Sequence, residues 1–257
     1  MRHADMTIFA RLLLLVPLVA ACAQPPAGAL DGRTFLSTSV TEDGAAHRLV
    51  AGTQIRLSFT DGRVGASVGC NIYGATYRIQ DGRLVASGGS MTEMGCDEDR
   101  AAQDEWLFAF LGSNPSTTLN GDELRLESAG TIITLLDREV ADPDLPLVGP
   151  TWKVVSVISG GAVSSVPAGV VASLIFQADG LVSFQTGCNS GGGRFSGTAD
   201  ELRLSELVMT KRACDGAEAE MEAVVIRVLQ AEAIAYRIEA GGLTLSAGGF
   251  GLQLTGR

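Results

Sequence analysis

Histidine is nearly absent from this chain of 257 residues, which contains only His3 and His47. His3 lies in a leader-like N-terminal stretch, so a single histidine is left for the folded part. One histidine cannot serve a repeated histidine-dependent catalytic triad or a histidine-rich metal site, so we expect neither. His47 lies in the polar stretch DGAAHRL, where we expect a solvated loop residue.

Basic charge is also in short supply. Lysine and arginine total 19 against 29 aspartates and glutamates, so the net charge is −10. An acidic chain is repelled by phosphate backbones, which argues against a nucleic-acid partner. The stretch SGGGRF (Ser190 to Phe195) lacks the Lys-Ser/Thr pair of a nucleotide-binding loop. Aromatic residues make up only 5% while glycine reaches 32 residues, which favours turn-rich β structure.

The only long apolar run, LLLLVPLVAAC, extends from Leu12 to Cys22 and is too short to span a membrane as a helix. With Arg2 and Arg11 beside it, the pattern is typical of a secretory signal over residues 1–21. Its end resembles a bacterial lipobox, which implies lipidation of Cys22 and a membrane anchor. Because Ala23 follows, the resemblance favours the outer membrane, facing the periplasm. An ordinary signal peptide is the alternative, and residues 22–29 form a short tether.

Two later stretches repeat one another, SVGCNIYGATY from Ser67 and QTGCNSGGGRF from Gln185. Cys70 and Cys96 are separated by 26 positions, as are Cys188 and Cys214, and the two pairs are offset by 118. A repeat of this length is a duplicated domain rather than a solenoid unit. The sequence therefore predicts domain 1 over residues 30–138, a linker rich in proline and aspartate over 139–146, and domain 2 over 147–257. The same offset relates Asn71 to Asn189, Leu84 to Leu202, Met91 to Met209, Thr92 to Thr210, and Asp97 to Asp215.

Each repeat has the pattern of short strands followed by one helix. Alternating apolar residues flank Asp-Gly pairs in TDGR, QDGR and ADGL, which are strong hairpin signals. After the second cysteine the period becomes helical. The expected stripe is Ala102, Trp106, Ala109 and Phe110 in one copy, and Met221, Val224, Val225 and Val228 in the other. We therefore expect an α+β fold with two tandem domains, each an antiparallel sheet curled around one helix.

The ordered motif resembles the META domain of HslJ-like bacterial envelope proteins. The first copy carries Gly69, Cys70, Asn71 and Tyr77, then Met91, Thr92 and Cys96. The second carries Gly187, Cys188, Asn189 and Phe195, then Met209, Thr210 and Cys214. The resemblance implies an envelope protein connected with stress tolerance, and it brings no catalytic residue and no cofactor. The second copy departs from the motif because its turn, NSGGGRF, lacks the first tyrosine.

The four cysteines that follow Cys22 allow three disulfide pairings in an oxidising compartment. The duplication favours Cys70 with Cys96 and Cys188 with Cys214, since each domain then has its own bridge. We expect Cys70 and Cys188 to end core-facing strands. Buried free thiols remain an alternative. A metal or redox role is disfavoured because the sequence has no CxxC motif and no histidine partner.

The other motif residues have simple structural interpretations. Asn71 and Asn189 suit turns, because asparagine tolerates left-handed backbone and bonds its own turn. The methionines are expected in the core and the threonines on connections, and Trp106 and Trp152 are expected as core anchors. The acidic runs, including Asp104 and Glu222, are expected near helix starts or scattered without a shared role.

Two functions follow from these expectations. The first is a membrane-anchored envelope lipoprotein with two non-catalytic modules that bind or scaffold. The alternative is a specific binder or inhibitor, whose partner would be an envelope hydrolase or a small apolar molecule. An apolar patch on the Gly-Cys-Asn loops would favour the alternative.

Overall fold

The computed structural model describes residues 28–257, which form two compact units. The first unit ends at Leu136 and the second extends from Asp137 to Arg257. The predicted signal segment 1–21, the lipidation site Cys22 and most of the tether lie outside the described residues. Within 28–257, none of the helices has the length and apolar character needed to cross a membrane.

Domain 1 is built from nine strands and one long helix. Eight strands form a ring in the order β1-β3-β4-β5-β6-β7-β8-β9, with β9 pairing back onto β1, and β2 forms a hairpin on β1. The elements are β1 (Thr34–Glu42), β2 (Ala45–Ala46), β3 (Arg56–Thr60), β4 (Arg63–Ser67), β5 (Ile72–Gln80), β6 (Arg83–Met91), α1 (Glu98–Gly112), β7 (Ser116–Asn120), β8 (Glu123–Ser128) and β9 (Thr131–Asp137).

Domain 2 repeats this topology element by element. Its ring has the order β10-β12-β13-β14-β15-β16-β17-β18, closed by antiparallel pairing of β18 with β10, and β11 forms the side hairpin. After a short helix α2 (Arg138–Ala141) come β10 (Thr151–Ser159), β11 (Ala162–Ser165), β12 (Ala172–Phe176), β13 (Leu181–Thr186), β14 (Ser190–Gly197), β15 (Glu201–Met209), α3 (Gly216–Leu229), β16 (Ile234–Glu239), β17 (Gly242–Ala247) and β18 (Phe250–Gly256).

The tight turns follow from the Asp-Gly pairs. Asp61 and Gly62 both have positive φ, as do Asp81 and Gly82, and each pair joins two strands in a two-residue hairpin. Positive φ at both central positions is the geometry of a type I′ turn, which matches the twist of the flanking strands. These turns fix the register that places Leu57, Phe59 and Val64 inside the ring.

The fold is mostly β, so the expected α+β class holds only in its coarser form. Each core is filled largely by strand side chains, with Phe35, Phe59 and Leu84 in domain 1 and Trp152 and Phe176 in domain 2. The single long helix of each domain lies in the chain between β6 and β7, or between β15 and β16. There the ladder is reduced to one residue pair in domain 1 and two in domain 2. The helix packs its buried side chains into the core of the barrel-like sheet, and α3 contacts β13, β17 and β18 rather than bridging that weak pairing.

The buried face of α1 differs from the predicted stripe. Ala102 and Ala109 are exposed, and the buried residues are Gln103, Asp104, Leu107, Phe110 and Leu111. Two polar residues occupy this face because they bond to loops of the same domain. In α3 the prediction is closer, since Met221, Val225 and Val228 are buried.

The segment predicted as a linker, 139–146, is partly structured. Most of it follows α2, and Arg138 forms a hydrogen-bonded ion pair with Asp144. Leu145 packs against the core of domain 2, and its backbone N–H donates to Ala240. All of this segment lies within the second compact unit, and Leu145 joins its core.

Candidate functional site: two Gly-Cys-Asn clamps and their grooves

Asn71 is the buried residue of the first Gly-Cys-Asn motif, with 7% of its surface exposed. Its side-chain Oδ1 accepts hydrogen bonds from the hydroxyl of Thr92 (3.1 Å) and from the backbone N–H of Met94 (2.9 Å). Thr92 Oγ1 in turn accepts from the backbone N–H of Ile72 at 3.0 Å. The asparagine thus fastens the segment after β6 to the connection between β4 and β5.

Asn189 makes the same bonds in domain 2. Its Oδ1 accepts from Thr210 Oγ1 (2.7 Å) and from the backbone N–H of Arg212 (2.8 Å). Thr210 Oγ1 accepts from Ser190 N–H at 3.2 Å. Neither asparagine has positive φ. The expectation of a left-handed turn residue is therefore wrong, and the side-chain amide instead joins two separate segments.

A carboxylate on the helix completes each cluster. Asp104, with 1% of its surface exposed, accepts from the backbone N–H groups of Asn71 (2.6 Å) and Cys70 (3.4 Å). Glu222 accepts from the backbone N–H of Asn189 at 3.1 Å and from its side-chain amide at 3.2 Å. Asp104 and Glu222 are 118 positions apart, which is the offset of the cysteines. That shared offset could have identified the two carboxylates as equivalent from the sequence, but the residue type changes from aspartate to glutamate.

Hydrogen bonds keep the Glu222 carboxylate ionised. Partial burial alone would raise its pKa, but bonds from Thr186 and Asn189 outweigh burial and hold the pKa of Glu222 below its usual range. Such bonds favour the charged form because they are made to the carboxylate oxygens. The second cluster therefore contains a fixed negative charge at neutral pH.

Each cluster also contains a disulfide. Cys70 is bonded to Cys96 and Cys188 to Cys214, with Cα atoms 6.2 Å apart in both bridges. Both cysteines are half-buried. Cys70 lies three positions beyond the end of β4 and Cys188 two positions beyond the end of β13, so neither ends a core-facing strand as expected. The pairs come near a carboxylate, Asp104 or Glu218, but bridged sulfurs offer no thiolate to a metal. We call each unit of bridge, asparagine, threonine and carboxylate a clamp.

Some of the remaining motif residues pack in the interior, and others are exposed at the surface. Gly187 has φ +103°, and a Cβ there would lie 2.9 Å from Val170 and 3.0 Å from Met221, so glycine is needed. Gly69 is less constrained, with Gln103 at 3.3 Å from such a Cβ. Met91 is 45% exposed and is not a core residue, whereas Met209 packs partly against the core. Trp152 is fully buried, but Trp106 is only half-buried.

A shallow groove lies beside each clamp. The domain 1 groove has a volume of about 380 Å³, and Gln54, Ser67, Gly69, Cys70, Ile72 and Arg100 are among its lining residues. The domain 2 groove has a volume of about 440 Å³, and its lining includes Val171, Gln185, Gly187, Cys188, Ser190 and Arg212. The two grooves occupy corresponding places, since Gly69, Cys70 and Ile72 correspond to Gly187, Cys188 and Ser190.

The two grooves differ in their outward chemistry. Ile72, at the start of β5, is 58% exposed, and Met94, in the connection from β6 to α1, is 54% exposed. At the positions of Ile72 and Met94, domain 2 has Ser190 and Arg212. The Arg212 guanidinium donates to the carbonyl of Cys188 at 3.0 Å and pairs with Glu218 at 3.2 Å. At these two positions domain 1 is apolar and domain 2 is polar, while Arg100 also lines the domain 1 groove and Val171 the domain 2 groove.

Each domain is thus a small antiparallel β-barrel-like module held by a disulfide clamp. The family model described as META domain matches residues 28–140 and again residues 145–255. The chain belongs to the META-domain family and carries the domain twice.

Two solved structures similar to part of the chain were determined by NMR. A protein from Burkholderia xenovorans is 17% identical over 51% of this chain and 98% of its own, with a TM-score of 0.40. A second protein is 22% identical over 42% of this chain and 90% of its own, with a TM-score of 0.35. The curated proteins contain no match.

Proposed function

We propose that this protein is a lipid-anchored lipoprotein of the cell envelope whose two META domains bind or scaffold and do not catalyse. One observation carries the non-catalytic part. The polar atoms of the repeated motif are committed to structural bonds in both domains, from Asn71 to Thr92 and Met94 and from Asn189 to Thr210 and Arg212. A catalytic group must remain available to its substrate, whereas these polar atoms are already bonded within the domain.

The envelope location is supported by the lipobox-like sequence that ends at Cys22 and by the bridged cysteines. Disulfides persist in exported proteins and are rare in the reducing cytosol. The resemblance of the motif to envelope stress proteins adds a role in tolerance of envelope stress. The anchor would hold both domains at the periplasmic side of the outer membrane.

The anchor is tested by Cys22→Ser in the full chain expressed in its own cells. We expect the variant to leave the membrane fraction, to lack the lipid mass, and to fail to restore stress survival to a strain without the gene. Ser165→Ala, an exposed change in β11, is the control and should remain anchored. A Cys22→Ser protein that is still acylated and membrane-bound would contradict the anchor.

A specific binder is the second candidate, and the rim of the domain 1 groove favours it. Exposed Ile72 and Met94 place apolar side chains near the Gly-Cys-Asn loop at positions where domain 2 has Ser190 and Arg212. Such surface suits a small apolar molecule or an apolar side chain of an envelope hydrolase.

Domain 2 supplies the matched variant for this candidate, because Ile72→Ser copies Ser190. We expect the full chain to enhance the fluorescence of the apolar dye anilinonaphthalene sulfonate, and Ile72→Ser to remove most of the enhancement. Val163→Ser, which alters an exposed apolar residue of the β11 hairpin, should leave the signal largely intact. Equal losses in both variants would argue against a site at Ile72.

A further inference from the structure

A second polar cluster lies in domain 1, outside the clamp. The Glu42 carboxylate accepts the indole N–H of Trp106 at 2.7 Å and bonds to Nδ1 of His47 at 2.9 Å. The imidazole of His47 lies flat on the indole of Trp106, with ring centroids 4.5 Å apart and an angle of 8° between the planes. His47 is therefore not the freely solvated loop residue that the sequence predicts.

These contacts fix both the orientation and the tautomer of the imidazole. Hydrogen bonds from Trp106 and then from His47 lower the pKa of Glu42, so this group is a carboxylate and His47 Nδ1 is the donor. In neutral imidazole, Nε2 then carries a lone pair and is an acceptor. Within residues 28–257, no side chain or backbone group bonds Nε2.

The imidazole borders a groove of about 490 Å³ between β1 and the connection from β2 to β3. Ser37, Thr38, Ser39, Leu49, Thr53 and Gln54 also line it. Ser39 and Gln54 are exposed, and the Gln54 amide nitrogen donates to the carbonyl of Ser37 at 2.9 Å, which leaves its oxygen toward solvent. Ser39 Oγ has no partner among the described residues. The groove thus combines hydroxyl and amide groups with one oriented acceptor.

The fold does not require this cluster. Domain 2 forms the same barrel with Val224 at the position of Trp106, since the two are offset by 118. Its side hairpin, Ala162–Ser165, contains no histidine. A feature that one copy of a fold can omit is a candidate for function in the copy that has it.

We propose that this groove is a binding site for a neutral, hydroxyl-rich ligand of the saccharide class. Sugar hydroxyls both donate and accept, so they can pair with His47 Nε2, Ser39 Oγ and the Gln54 oxygen. No lysine or arginine is among the lining residues and the Glu42 carboxylate lies behind the imidazole, so an anionic ligand is disfavoured. The site is separate from the lipid anchor, and it adjoins the domain 1 clamp groove, with which it shares Thr53 and Gln54.

The full chain without its signal segment is titrated with maltotetraose, cellotetraose and chitotetraose, and binding is followed by NMR. The two indole N–H signals provide an internal comparison, because Trp106 lies under His47 and Trp152 is buried in domain 2. We expect at least one saccharide to move the Trp106 signal and the amide signals of Ser39 and Gln54 in a saturable way. The Trp152 signal should not move.

Two variants separate recognition from folding. His47→Phe keeps a ring over Trp106 but removes Nε2, and Gln54→Ala changes an exposed side chain. Each should raise the dissociation constant about three- to tenfold, which is the range expected for the loss of one hydrogen bond. Gln177→Ala, an exposed glutamine of domain 2, is the matched control and should bind as the parent does. The proposal is overturned if none of the three saccharides moves the Trp106 signal, or if His47→Phe and Gln54→Ala both bind with the parent's affinity.

Discussion

The two clamps make the same bonds with different side chains. In domain 1 the carboxylate is the short Asp104, whose hydrogen bonds within residues 28–257 come from the backbone N–H groups of Cys70 and Asn71. In domain 2 the longer Glu222 also bonds the Asn189 amide and the Thr186 hydroxyl. What both domains keep is an acceptor on the helix facing the Gly-Cys-Asn backbone. The comparison indicates that this acceptor, rather than a particular residue, is what the fold needs.

At the position before each carboxylate the two domains differ in kind, because one has a polar residue and the other an apolar one. Gln103 in α1 is buried and donates to the carbonyl of Val68 (2.8 Å) and to the Thr53 hydroxyl (2.9 Å), while its oxygen accepts from Val50 N–H (2.6 Å). The corresponding residue of α3 is Met221, which is apolar and buried. Domain 1 therefore holds the loop before β3 by hydrogen bonds, whereas domain 2 packs Met221 beside Gly187.

The largest expected effect comes from opening one bridge. Cys70→Ala with Cys96→Ala should lower the free energy of unfolding of domain 1 by about 2–5 kcal/mol, because the unfolded chain regains the freedom that the bridge restricts. Each domain has one tryptophan, Trp106 or Trp152, so fluorine-labelled tryptophan NMR in a urea series follows each separately. The matched pair is Cys188→Ala with Cys214→Ala. If either double variant destabilises both domains equally, the clamps are not independent units.

The carboxylates should have the next largest effect. Asp104→Ala should destabilise domain 1 by about 1.5–3 kcal/mol, because it leaves the buried N–H of Asn71 without an acceptor. Glu222→Ala should do the same in domain 2. Glu105→Ala, an exposed neighbour on α1, is the control and should change the unfolding free energy by less than about 0.5 kcal/mol. An Asp104→Ala protein as stable as the control would contradict the equivalence of the two carboxylates.

The stability of domain 2 should depend more strongly on acid pH in the parent than in the Glu222→Gln variant. The pKa of Glu222 is lowered in the folded state, so its stabilisation is fully present above the usual glutamate value of 4.5. That stabilisation is lost as the pH falls through the lower folded-state pKa. Urea titrations of domain 2 across this range should show a smaller pH dependence in Glu222→Gln than in the parent. Identical pH profiles would mean that Glu222 has no such role.

The smallest effect is expected at the rim of the domain 2 groove. Arg212 and Glu218 are both substantially exposed, and exposed ion pairs contribute at most about 1 kcal/mol. Glu218→Gln should therefore shift the unfolding midpoint of domain 2 only slightly, and high salt should remove the difference. A loss as large as that of Glu222→Ala would show that this ion pair is part of the clamp.

Much of the architecture could be predicted because it depends on local patterns. The Asp-Gly pairs at Asp61 and Asp81 set hairpins, and equal cysteine spacing indicated two similar domains. The clamp itself was harder to predict because its bonds join residues far apart in the chain, such as Asn71 with Met94 and Asp104. The buried face of α1 includes Asp104 and therefore differs from the apolar stripe that the sequence predicts. His47 was misjudged because its partners, Glu42 and Trp106, are brought together only by the folded barrel.

Amide hydrogen exchange in Asn71→Ala and Asn189→Ala tests most directly whether each Gly-Cys-Asn motif is a clamp for its own domain. In the parent, the N–H groups of Met94 and Arg212 lie on exposed loop residues but donate to Asn71 and Asn189. We predict that both amides are protected in the parent. Asn71→Ala should accelerate exchange at Met94 by about tenfold or more without changing Arg212, and Asn189→Ala should do the reverse. Fast exchange at both amides in the parent, or a loss of protection that crosses from one domain to the other, would contradict the account.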